Sequence, residues 1–191
     1  MNRLTRIIAI ATVAAVPLLG VAAAPAGAKT VPAAQWMTKF CTVFGDWSQS
    51  IQQASQDVQS LSSTADASDL GGAKNALVDM LSQSIDATDT AVSDLEAAGI
   101  PDARNGKKIN ATILAALQNA KSVFEDAESS AEAISTTDAA SFATDTAKVS
   151  DDISSGLDDA FAGLSKINKL DKAGTFQKLS NKNKACKALN G

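Results

Sequence analysis

Residues 81–124 read LSQSIDATDTAVSDLEAAGIPDARNGKKINATILAALQNAKSVF, and the middle of this stretch decides the fold. Before the Gly99-Ile100-Pro101 triplet, Leu77, Leu81, Ile85, Thr88, Val92 and Leu95 recur at intervals of three and four residues. After it, Ile109, Ile113, Leu117, Ala120, Phe124, Ala127, Ala131 and Ile134 do the same. That period is the apolar stripe of an amphipathic helix. Between the stripes, Gly99 can take the left-handed conformation, Ile100 can supply the hydrophobic contact of a helix end, and Pro101 forbids continuation. The stretch is a helix running from about Ala67 to Ala98, a stop, and a second helix. The second helix begins between Asp102 and Gly106 and reaches about Ile134.

Working outward, the same period continues in both directions. Upstream, Phe40, Phe44, Trp47, Ile51, Ala54, Val58 and Leu61 line one face of a helix expected from Pro32 to Leu61, with Pro32 in its first turn, where a missing N–H costs nothing. Ser62 to Asp66 break that pattern and offer cap residues, while Gly71-Gly72 weaken the start of the next helix. Downstream, Ser135 to Asp138 form another break, with Thr137 or Asp138 as N-cap. Phe142, Val149, Ile153, Leu157, Ala160, Leu164 and Ile167 then mark a fourth helix. Alternating runs of β-branched and aromatic residues, the signature of strands, are missing. The expectation is an all-α, up-down-up-down four-helix bundle; the alternative is a three-helix bundle with one helix docked loosely outside. From Leu170 onward, Gly174, Asn181 and Asn183 argue against one long helix, although Leu170, Phe176, Leu179, Cys186 and Leu189 could still pack.

The N-terminus reads as an address. Arg3 and Arg6 precede an apolar run from Ile7 to Ala24, and Ala26-Gly27-Ala28 fits small-residue cleavage. Residues 1–28 are expected to be a secretory signal peptide cleaved after Ala28, which leaves a secreted, extracellular domain of residues 29–191. The competing reading, an uncleaved anchor helix, has against it Pro17 and a run near the lower limit for spanning. No cysteine follows the run closely enough for lipid attachment, and no later segment is apolar enough to span a bilayer. In an oxidising compartment two cysteines allow one intramolecular bond, so Cys41–Cys186 is the expected staple, with two free thiols as the alternative.

Composition excludes much chemistry. The chain has no histidine and two cysteines, which rules out His-based triads, His-ligated zinc and four-cysteine metal sites. No carboxylate falls on an apolar stripe, so none is set up for the raised pKa of acid–base catalysis. Neither a G-x-S-x-G elbow nor a phosphate loop is found. The protein is expected not to be an enzyme and to need no metal or cofactor.

Net charge is −4, but its distribution is uneven. Residues 29–165 carry eight basic and 20 acidic side chains, a net of −12. Residues 166–191 carry seven lysines and Asp171, a net of +6. The acidic body does not suit nucleic acid. Asp138, Asp145, Asp152 and Asp159, with Asp151 and Asp158 beside them, form an acidic stripe that reads as a solvated face; a Ca²⁺ or cationic partner is the alternative. Asp79, Asp86, Asp89 and Glu96 read the same way. Asn110-Ala111-Thr112 matches the glycosylation sequon but lies inside a helical pattern.

Two features are candidates for binding. Four of the eight aromatics, Trp36, Phe40, Phe44 and Trp47, sit together near the mature N-terminus, either as a floor for the tail or as a ligand pocket. Lys178, Lys182, Lys184 and Lys187 make the tail basic; they either fold onto the acidic body or face an anionic envelope component. The expected function is a secreted, non-enzymatic binding or interaction module of a bacterial envelope or the extracellular space, with an unknown protein or anionic envelope component as partner. The alternative is a carrier of a small apolar ligand held between the helices. Oligomeric state is open.

The signal peptide, Gly99-Ile100-Pro101-Asp102 followed by Asn105-Gly106-Lys107-Lys108, and Ala185-Cys186 paired with Cys41 near Trp36 and Trp47 form a combined pattern. It resembles a group of small secreted α-helical proteins, some of them lipoproteins, from high-GC Gram-positive bacteria. The resemblance implies a helical fold and export, and no activity. The chain departs from the lipoprotein members by lacking a lipid-acceptor cysteine. It is unlike the WXG-type helical hairpins, which carry Trp-x-Gly at the turn where this chain has Gly-Ile-Pro.

Overall fold

The computed structural model describes residues 29–64 and 69–189, with the side chains of Ser55 and of residues 57–64 left aside. The expected signal peptide, the cap residues around Ala65 and Asp66, and the seam positions Val58 and Leu61 therefore lie outside the described residues or side chains. The described chain is mostly helical and carries a Cys41–Cys186 disulfide. In order the elements are β1 (Thr30–Pro32), α1 (Ala33–Thr64), α2 (Leu70–Ala97), β2 (Ile100–Asp102), α3 (Gly106–Glu132) and α4 (Ala139–Ala162). A 3-10 turn (Gly163–Lys166), α5 (Ile167–Leu170), α6 (Thr175–Lys182) and α7 (Lys184–Ala188) follow.

Local signals end the helices where their chemistry dictates. Asp69 caps α2 by accepting a hydrogen bond from Gly72 N at 2.8 Å, and Asp138 caps α4 by accepting from Ser141 N at 2.7 Å. Those hydrogen bonds favour the charged carboxylate, so the pKa of Asp138 lies below its ordinary value. The Lys74 ammonium, reaching from α2, donates to the carbonyls of Glu132 and Ile134, where α3 leaves acceptors unpaired. Gly99 has φ +81° after α2, and a Cβ there would collide with the Lys29 carbonyl oxygen.

That close approach produces an element the periodicity did not announce. Ile100 N donates to Lys29 O at 2.9 Å, and β1 pairs in parallel with β2, Thr30 opposite Ile100 and Pro32 opposite Asp102. Pro32 accordingly ends β1, and α1 opens one residue later at Ala33. Three-residue strands are too short to show alternation, and Pro101 within β2 argues against a strand locally. The pairing depends on a turn that brings the start of the chain beside residue 100.

Consecutive long helices pack, α1 on α2, α2 on α3 and α3 on α4. Their apolar side chains form two cores. One gathers Trp36, Met37, Cys41, Leu95, Ile109 and Ile113 with Phe176 and Cys186 of the tail. The other gathers Leu81, Phe124, Ala127, Ala131, Ile134 and Val149. Of the apolar stripe on α4, only Val149 and Ala160 are buried, so this helix sits shallowly on α3. The fourth helix expected through Ile167 ends instead at Ala162: Leu164 lies in the 3-10 turn and Ile167 in α5, both half-buried.

Of the three residues that argued against a long tail helix, Gly174 and Asn183 organise its breaks, while Asn181 lies within α6. Gly174 takes φ +64° between α5 and α6, and both carboxylate oxygens of the Asp171 side chain accept from Thr175 N and Phe176 N at the start of α6. Asn183 caps α7 by accepting from Ala185 N at 2.9 Å and donates to Thr38 Oγ1 on α1 at 2.7 Å.

Candidate functional site

Cys41 lies on α1 and Cys186 on α7, both buried, with Cα atoms 4.9 Å apart and a sequence separation of 145. The bond returns the tail to the opening turns of α1, where the aromatics are. Those aromatics form a chain of rings. Trp36 stacks on Phe40 with centroids 5.3 Å apart, Phe40 meets Phe44 at 5.8 Å, and Phe44 meets Trp47 at 5.2 Å. The tail enters at one end, where Phe176 packs edge-on against Trp36 at 5.7 Å. At the other end Phe161 of α4 packs against Trp47, also at 5.7 Å.

The four rings divide by role. Trp36 is fully buried beneath the docked tail. Trp47 joins α1 to α2, because its indole N–H donates to the buried hydroxyl of Thr88 at 2.9 Å, and that hydroxyl donates to Ser84 O. Phe40 and Phe44 turn their half-buried rings to an apolar cleft of about 340 Å³. Ile113, Ala116 and Leu117 of α3 form the cleft floor with Cys41 beside them. Phe161, Leu164 and Ile167 form the facing wall. Ser180, Cys186 and Leu189 close the tail side, and Ser180 supplies the one polar side chain of the lining.

The cleft follows from packing. It opens between α1 and residues 161–167, and the Trp47–Phe161 ring contact bridges α1 and α4 at one side of it. Leu189, 39% exposed and the one large apolar side chain left exposed among the described residues, projects at its edge. A volume of this size lies at the lower end of the ~300–1,000 Å³ typical of small-molecule sites.

Lys178, Lys182, Lys184 and Lys187 are all exposed. Among the described residues, the ion pairs are Lys121 with Asp89 and Glu125, and Lys148 with Asp152; none ties a tail lysine to the acidic body. The Asp89 hydrogen bond raises the pKa of Lys121, and the Asp152 hydrogen bond raises that of Lys148. Asp145, Asp151, Asp152, Asp158 and Asp159 are exposed along α4, and no group of three or more potential metal ligands occurs among the described residues. Asn110 of the sequon is 5% exposed on α3, which closes it to a glycosyl donor in the folded chain. No described helix is long and apolar enough to cross a membrane.

Cleft residues Ile113, Ala116, Phe161, Leu164, Ile167, Ser180 and Leu189 were not singled out as site residues by sequence. A signal existed for the tail and α1 sides, because a Cys41–Cys186 bond makes neighbours of whatever lies within a helical turn of either cysteine. No family model, curated protein or solved structure matches the chain. Its functional reading therefore rests on its own geometry.

Proposed function

We propose that the chain from Lys29 onward is an exported, non-enzymatic binding module of a bacterial envelope or the extracellular space, and that its ligand is small and apolar. The apolar cleft between α1, α3 and residues 161–167 carries this reading. In the same reading the long helices form an up-down-up-down four-helix bundle with a basic tail, and the seam between first and fourth helix stays open as the binding site. Bundles do hold ligands between facing helices. The export half of the proposal rests on residues 1–28 and on the likeness to small exported helical proteins of high-GC Gram-positive bacteria, and a disulfide suits that compartment.

Solvent extraction and mass spectrometry of the purified, oxidised protein test the proposal together with calorimetric titration of decanol. Binding should be lost in Ile167→Trp, which fills the cleft from a half-buried position, while the thermal midpoint is kept. Absence of any co-purifying apolar molecule together with no measurable heat on adding decanol would defeat the carrier reading. A second reading is an interaction module whose tail meets a protein or an anionic envelope component. It is favoured by the exposure of Lys178, Lys182, Lys184 and Lys187. A pull-down from cell-wall extract with and without residues 178–191 tests it.

A further inference from the structure

We infer that the cleft holds the chain of a single-chain amphiphile whose uncharged, hydroxyl-rich head, such as a sugar, sits in an adjoining polar groove; the inference rests on the carrier reading above. The groove has a volume of about 440 Å³ and lies between α1 and the end of the tail. Thr42, Asp46, Ser48, Gln49 and Gln52 of α1 line one side of it, and the small side chains of Ala185 and Ala188 line the other. Cys41 and Leu189 line both spaces, so cleft and groove meet beside the staple. At that junction Leu189 lies over α1 in room left by a glycine, since a Cβ on Gly45 would stand 3.2 Å from its Cδ2.

The change of character is built into α1. Phe40, Phe44, Ser48 and Gln52 stand four apart and form one row on the helix surface, in which successive side chains are neighbours. The first two line the cleft and the last two line the groove. A chain lying against the two rings therefore delivers its head to Ser48 and Gln52, with Gln49 and Asp46 further round the helix. The groove then selects that head. Carboxamides and hydroxyls both donate and accept, and a carboxylate accepts, which matches sugar hydroxyls, each a donor and an acceptor. Among the described residues, the side chains of Thr42, Asp46, Ser48, Gln49 and Gln52 make no hydrogen bond or ion pair within the protein. No lysine or arginine lines the groove, and Asp46, the charged side chain of its lining, repels an anionic head. The cleft volume of about 340 Å³ suits one short chain better than a two-chain lipid.

Decyl glucoside and decanol share a chain and differ in the head, so calorimetric titrations of the oxidised protein with each, below the onset of micelles, decide the matter. The glucoside should bind about tenfold tighter, the gain that one or two net hydrogen bonds supply. That margin should vanish in a Gln49→Ala, Gln52→Ala double variant, altered at two exposed positions, while the decanol affinity and the thermal midpoint are kept. It should persist at about 1 M salt, where the Debye length is about 3 Å, because an uncharged head owes nothing to Coulomb attraction. Equal affinities for glucoside and alcohol, a margin lost in salt, or a margin that survives the double variant would overturn the inference and leave the carrier reading standing. Binding of neither overturns both. Tighter binding of decanoate or decylammonium than of the glucoside also overturns the inference, in favour of a head read by its charge.

Discussion

The two cores of this protein are held by different means. The core around Trp36, Leu95, Ile109 and Phe176 draws on α1, α2, α3 and the tail, and is closed by a covalent bond, a small sheet and the Asn183–Thr38 and Asn105–Leu170 hydrogen bonds. The core around Leu81, Phe124 and Val149 draws on α2, α3 and a shallowly docked α4, and depends on side-chain burial with Lys74 and Asp138 securing helix ends. Each part of the difference has a physical cause. The tail helices, of four, eight and five residues, are too short to be stable alone, so they need a staple. The fourth long helix, 24 residues, forms without one. The cleft lies on the stapled side, where chain segments from four parts of the sequence must meet without a long helix to fill the gap.

The largest effect should come from removing the staple. Cys41→Ser with Cys186→Ser opens a loop of 145 residues, worth up to about 5 kcal/mol in the chain-entropy model. Urea denaturation should report that loss, and hydrogen exchange should rise first in α6 and α7 while α3 and α4 stay protected. An unchanged midpoint, or loosening that begins in α4, would break the contrast.

A smaller effect sharpens it. Leu81 and Leu95 are both fully buried on α2 but belong to different cores, about 21 Å apart along the helix at 1.5 Å per residue. Each Leu→Ala change should destabilise by about 3 kcal/mol. The double variant should be additive within about 0.5 kcal/mol if the cores are independent. A coupling above about 1 kcal/mol would mean that α2 transmits one core to the other.

The smallest effect concerns the lightly held helix. The folded pKa of Asp138 is depressed by its hydrogen bonds to Ser141. Its contribution is thus complete above the unfolded carboxylate value of about 3.9 and is lost as pH falls through the lower folded value. Asp138→Asn should flatten the acid limb of the stability curve slightly, read by circular dichroism from pH 5 to pH 2, and an identical curve would deny Asp138 that role.

How much of this was legible varies by residue. The seams were legible because a helix repeats its inward face every three to four residues, and Ile109 through Ala131 are buried as that pattern requires. Gly99 and Asp138 were legible because left-handed turns and N-caps restrict residue type. Phe161 was not, since it flanks the α4 stripe and reaches Trp47 only through the relative placement of α1 and α4. Depth of burial was not legible either. A stripe of Val, Ile and Leu among Asp and Ser tells which side of α4 faces inward and leaves open how far it sinks.

The sequence by itself determined the long helical segments, the stop at Gly99, the cap at Asp138 and, having only two cysteines, which residues could be bonded. Each of these is a local preference or an elimination. Tertiary structure alone decided that β1 meets β2, that the aromatic row divides between core, hydrogen bond and cleft wall, and that an apolar space remains beside the staple. A cleft is the volume left where surfaces from distant segments fail to close, and no single segment encodes it.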